Sequence, residues 1–186
     1  FLREEPHVGL ARRLEVDALA GAFDDVIEVS ERFHTGWVRA GRPRVNNLGP
    51  AVYAVAMVHG MRRDASARRR WVDLAGEVLR TPETIEGASA VWPVALDALL
   101  DLDLDFPDRA LARFAHDPDA VPAESPWHQQ LWLPWYAGAW AEASALTGAP
   151  GLNDRLARAA AVARGNEVVQ LIIERARLVA GGRSSE

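Results

Sequence analysis

Apolar residues along the chain recur at three- and four-residue spacing through most of its length, the signature of helices with one buried face. This periodicity predicts helices over Leu10 to Ala20, Phe23 to Ala40, Pro50 to Met61, Ala65 to Leu79, Glu86 to Leu102, Pro107 to His116, Pro126 to Leu146, Leu152 to Ala163 and Asn166 to Ala180. Strand-like alternation is confined to Leu100 to Phe106, where Asp101, Asp103 and Asp105 alternate with leucines, and it is too isolated to build a sheet. The breaks carry turn chemistry: Gly21, Gly41-Arg42-Pro43, Gly49-Pro50, Thr81-Pro82, Pro118 to Pro126, Gly148 to Gly151 and Gly165-Asn166. Pro50, Pro107 and Pro126 suit a first helical turn, where the missing N–H would have no partner. Pro93 and Pro134 stand in strongly helical sequence, so each marks either a kink or a later helix start.

The hairpin turns repeat. Gly21-Ala22-Phe23-Asp24, Arg63-Asp64-Ala65, Asp105-Phe106-Pro107-Asp108 and Gly148-Ala149-Pro150-Gly151 recur about every 42 residues, a spacing typical of stacked two-helix repeats. The expected fold is all-α: a right-handed stack of four antiparallel helix pairs, closed by a C-terminal capping helix over Asn166 to Ala180. No linker divides the chain, so residues 1–186 are read as a single helical-repeat domain.

Composition narrows the function classes. About half of the 186 residues are apolar, enough for a continuous core, and no stretch approaches the roughly 18 consecutive apolar residues of a membrane span. No apolar signal core follows Arg3, Glu4 and Glu5, and a cytoplasmic location is expected. Cysteine is absent, which removes disulfides, thiolate metal sites and cysteine nucleophiles together. The net charge of −5 argues against direct nucleic-acid binding. All basic residues are Arg, which points to a GC-rich coding sequence, and the first residue is Phe1, which points to a fragment of a longer multidomain protein.

No chemical motif survives a check of spacing. Asp101-Leu102-Asp103-Leu104-Asp105 opens like a calcium loop, but Phe106 stands where the sharp turn needs glycine and Ala112 where a bidentate Glu belongs. A solvated acidic turn with inward leucines is the simpler expectation. His7, His34, His59, His116 and His128 are scattered singly, without the one-turn pairing of a helical zinc site. No Gly-x-Ser-x-Gly elbow is present, and the lack of lysine forbids a phosphate-binding Gly-Lys loop. No metal, no cofactor and no catalytic residue is therefore expected. Arg62, Arg63, Arg68, Arg69 and Arg70 cluster near a turn, where intramolecular ion pairing explains them better than phosphate contact.

The aromatic residues are the most pointed feature. Trp132, Trp135, Tyr136 and Trp140 fall near i, i+3, i+4 and i+8 and share one helix face, close to Trp127 and His128. Packing between repeats accounts for them, since large aromatics dominate core area. The functional alternative is a groove in which Tyr53, His59, Trp92, His128, Trp132, Trp135 and Tyr136 receive a partner or ligand, the first helices of stacked pairs commonly forming the concave face.

Ala18-Leu19-Ala20-Gly21 before Phe23-Asp24, and Ala143-Ser144-Ala145-Leu146-Thr147-Gly148, resemble the tetratricopeptide hairpin, with small residues ahead of the turn and an aromatic or proline after it. The period exceeds the 34 residues of that motif, and its Trp-Leu-Gly-Tyr order does not appear. Arg32-Phe33-His34-Thr35-Gly36-Trp37 through Arg42-Pro43, and Leu131-Trp132-Leu133-Pro134-Trp135-Tyr136 through Trp140-Ala141-Glu142-Ala143, resemble the helical-repeat region of large actinobacterial LuxR-type, ATPase-containing transcriptional regulators. The resemblance implies a non-catalytic interaction or signal-receiving module, whose partner is a protein, a peptide or another domain of the same chain. Two alternatives stay open: a small-molecule effector sensor with an aromatic-lined pocket, and an enzyme whose site is not visible in sequence.

Overall fold

The computed structural model describes residues 6–79, 91–122 and 126–183. Among them every regular element is helical and no strand occurs. The helices are α1 (Pro6–Leu19), α2 (Phe23–Arg39), α3 (Gly49–Met61), α4 (Ala65–Val78), α5 (Val91–Asp103), α6 (Pro107–Ala112), α7 (Pro126–Thr147), α8 (Leu152–Val162) and α9 (Glu167–Arg183). Short 3-10 turns at Asn46–Leu48 and Pro118–Ala120 complete the set.

The hairpin turns share one hydrogen-bonding scheme. After α1, α3, α5 and α7 the chain enters the left-handed region at Gly21, Arg63, Asp105 and Gly148, positions spaced 42, 42 and 43 apart. In each turn that residue donates its N–H to the carbonyl three residues back, as Gly21 to Ala18 and Arg63 to Gly60. The following residue donates to the carbonyl five back: Ala22 to Asp17, Asp64 to His59, Phe106 to Asp101 and Ala149 to Ser144. This pair of bonds satisfies the last carbonyls of the helix and reverses the chain. Asp64 then caps α4, its carboxylate accepting the Ala67 N–H at 2.9 Å.

The chain divides into two compact units, residues 1–87 and 88–186. In the first, α1 pairs with α2 and α3 with α4, and both helices of the first pair pack on α3. That explains why α3 is buried continuously from Gly49 to Val58, on every side and not along one stripe. In the second unit α5 pairs with α6 and both lie on α7, while α7 pairs with α8 and both lie on α9. The relation of α1 and α2 to α3 is thus repeated twice.

Small residues set how closely these helices approach. Ala98, Ala110, Ala139 and Ala143 form the buried meeting point of α5, α6 and α7. Gly138 lets α7 approach α9 so closely that a Cβ there would come within 2.8 Å of Val169 Cγ1. Trp140, Leu156, Val169 and Ile173 fill the core of α7, α8 and α9.

Several expected boundaries move. α1 reaches back at least to Pro6, four residues before its apolar period, and His7 is already buried. α6 stops at Ala112, where Arg113 turns toward Asp97 and Asp101. Pro134 lies inside α7, so the helix neither starts there nor stops; its missing N–H leaves the carbonyl one turn back without that bond. Pro93 is the third residue of α5. The Thr81-Pro82 break and the expected start at Glu86 lie outside the described residues.

Candidate functional site

The aromatic candidates turn inward. Trp132, Tyr136 and Trp140 are buried together on α7, and Trp135 is half-buried against the core it shares with α8 and α9. Each large aromatic buries on the order of 200 Å², which at about 25 cal/mol per Å² is close to 5 kcal/mol of transfer free energy. The Tyr136 ring stands edge-on to Phe114 with centroids 4.8 Å apart, and its hydroxyl donates to the His116 carbonyl at 2.8 Å. Burial pushes the Tyr136 pKa above its usual value. Trp140 also takes the Arg155 and Arg158 guanidinium groups over its ring, at 4.8 and 5.7 Å from the centroid.

Trp92 is buried in α5 and Tyr53 in α3, while His59 is half-buried near the end of α3. Desolvation holds the His59 pKa below its usual value, against the opposing fields of Asp64 and Glu31. Tyr53 and His59 belong to the first unit and Trp92, Trp132, Trp135 and Tyr136 to the second. The side chain of His128 lies outside the described residues. Of the seven positions, Tyr53, Trp92, Trp132 and Tyr136 are buried and His59 and Trp135 are partly exposed.

The acidic run departs from the expected solvated turn at Asp101. Asp101 is on α5 and only 1% exposed, because Arg109 and Arg113 reach its two carboxylate oxygens, each at 2.5 Å. Burial alone would raise its pKa, but the Arg113 and Arg109 hydrogen bonds outweigh that and hold it below the ordinary value. Asp103 and Asp105 are exposed. No group of His, Asp or Glu that could hold a metal ion occurs among the described residues. The arginine cluster is tied down in part: Arg62 pairs with Asp24 at 2.5 Å and Arg70 with Glu31 at 2.9 Å, both acids lying on α2.

A site of different character opens between α1 and α2, a cavity of about 670 Å³. His7 and Leu10 of α1 face Arg32, Thr35, Gly36 and Arg39 of α2 across it. The four α2 positions stand at i, i+3, i+4 and i+7, one face of the helix. Neither Arg32 nor Arg39 forms an ion pair with a described residue, whereas the neighbouring Glu31 is spent on Arg70. His7 is 2% exposed, and its Nδ1 finds no hydrogen-bond partner. Gly36 makes this approach possible, since a Cβ there would lie 3.3 Å from His7 Cβ. Sequence reasoning passed over this face because its arginines sit on a helix with ordinary amphipathic spacing. The available signal was Gly36, a residue that costs about 1 kcal/mol relative to Ala inside a helix.

A second cavity, of about 520 Å³, lies between the start of α8 and the end of α9. Its charged lining is already paired, Asp154 with Arg158 and Arg177 with Glu174. On α9 itself Val168, Leu171 and Leu178 are exposed and fall on one face. No described helix is long and apolar enough to cross a membrane.

Fold and site together define an all-helical protein of antiparallel hairpins with a cationic cleft in its first hairpin. No family model, no curated protein and no solved structure matches the chain.

Proposed function

We propose that the chain is a non-catalytic interaction module of the tetratricopeptide-like kind, a right-handed array of two-helix repeats that receives a signal within a bacterial transcriptional regulator. The observation that carries the array is the recurrence of one hairpin turn at residues 21, 63, 105 and 148, each with the same two backbone hydrogen bonds. Arrays of this kind act through extended surfaces and not through a fixed catalytic centre. The location of the most perturbed carboxyl groups supports the non-catalytic part: Glu15 and Asp101 serve burial and ion pairing, and neither lines a described cavity.

The contact surface is the outer stripe of α9. α9 stands to α7 and α8 as α3 stands to α1 and α2, and α3 is covered in turn by its antiparallel partner α4. The occupant of Val168, Leu171 and Leu178 is therefore an amphipathic helix of the partner, laid antiparallel on α9. A photo-crosslinking residue at position 171 or 178, introduced in the source cell and mapped at peptide level, tests this. A crosslink to an amphipathic helical segment supports the reading. Labelling no stronger than at the exposed control position 69 refutes it.

A further inference from the structure

The geometry points to the α1–α2 cleft as a binding site for a small organic dianion, a short-chain dicarboxylate. Three independent features of this cleft converge. First, Arg32 and Arg39 lie on one face of α2 and neither has a described carboxylate to neutralise it, although most other arginines around them are paired. Seven residues place their Cα atoms about 10.5 Å apart along the axis, so the two forks suit two carboxylate groups better than one. Second, the space between them is shaped for a compact body. Gly36 lets His7 of α1 close the floor, Thr35 supplies a hydroxyl, and Leu10 offers an apolar wall opposite.

Third, the floor is closed and the rim is balanced. His7 is almost fully buried against Gly36, and its Nδ1 is shut off from the cleft, so the imidazole shapes the floor and leaves the polar contacts to the arginines and Thr35. Glu31 at the rim does not repel an anion strongly, because Arg70 holds it at 2.9 and 3.3 Å. The lining carries two arginines, Arg32 and Arg39, against one glutamate, Glu31, on a chain whose net charge is −5. A planar guanidinium binds a carboxylate through two parallel N–H donors, and two such forks at fixed separation select chain length as well as charge.

This inference is independent of the α9 surface, which lies in the other unit, so either can fail alone. The test is a titration of the full chain, isotopically labelled, with glutarate at low ionic strength, read by backbone amide shifts. Saturable shifts confined to Thr35 through Ala40 and the first turn of α1 are expected, with a Kd of about 0.1–1 mM. Arg32→Gln and Arg39→Gln, both at exposed positions, should each weaken binding about tenfold, and acetate should bind about tenfold less tightly than glutarate. Thr35→Trp keeps both cations and blocks the cleft, so it separates a shaped site from general attraction. Shifts that stay linear, that survive Thr35→Trp, or that are unchanged in both arginine variants overturn the proposal. Equal or tighter binding of inorganic phosphate overturns the two-carboxylate assignment.

Discussion

Glu15 is 4% exposed on the face of α1 that also buries Ala11, Leu14 and Ala18. Its ion-pair partner is Arg12, whose guanidinium is 3.5 Å away on a side chain that is 57% exposed. A cation in water screens poorly for a carboxylate out of water, so desolvation wins over the Arg12 attraction and the pKa rises from 4.5 to about 7. A rise of that size corresponds to about 3 kcal/mol between the two protonation states. Because the folded value lies above the unfolded one, the unfolded chain releases this proton first as pH rises. The stability that Glu15 preserves is complete below about pH 4.5, falls as pH climbs through about 7, and is flat beyond. Glu15→Gln imitates the protonated form and removes the titration. The variant should exceed the parent by about 1 kcal/mol near pH 5.5 and by about 3 kcal/mol near pH 8.5. Urea unfolding followed through amide signals of α1 and α3 reads the unit that holds Glu15, and the difference between the two proteins cancels the opposing titration of His59. A difference that does not change with pH, or a Glu15 carboxyl resonance with its midpoint near 4.5, would refute the reasoning.

Gly138→Ala should destabilise the second unit by about 1–3 kcal/mol despite the better helix propensity of alanine, because the new Cβ meets Val169 Cγ1 at 2.8 Å; thermal unfolding measures it. Arg63→Gly and Asp105→Gly should each stabilise by about 0.5–1 kcal/mol in urea, since these turns hold them at φ 62 and 63, where glycine carries no Cβ penalty. Loss of stability in both would count against the shared turn geometry. Asp101→Asn should cost on the order of 3 kcal/mol, because a neutral amide cannot serve two guanidinium groups. The folded pKa of Asp101 is depressed, so its contribution is present above the ordinary carboxyl range and is lost as pH falls through the folded value; the penalty of Asp101→Asn should shrink in acid.

The sequence by itself determined the helical class, the places where the chain turns and the roughly 42-residue rhythm, because all three rest on local chemistry. Apolar spacing defines a helix within a few turns, and Gly21 and Gly148 mark turns wherever they are placed. Arg63 and Asp105 occupy the same left-handed position without glycine, and only their register with the other two turns makes them legible. Tertiary structure decided everything that depends on which faces are covered. A period of three and four residues shows that Trp132, Tyr136 and Trp140 share a side but not that all three are buried, with Tyr136 on Phe114 and Trp140 in the core of α7, α8 and α9. Asp101 reads as a surface acid until α6 folds back and brings Arg109 and Arg113 onto it from eight and twelve residues away. The burial of Glu15, the cleft beside Arg32 and Arg39 and the division into two units likewise depend on which helices pack together and how closely. Burial and electrostatics are set by those neighbours, and no local pattern encodes a neighbour's distance.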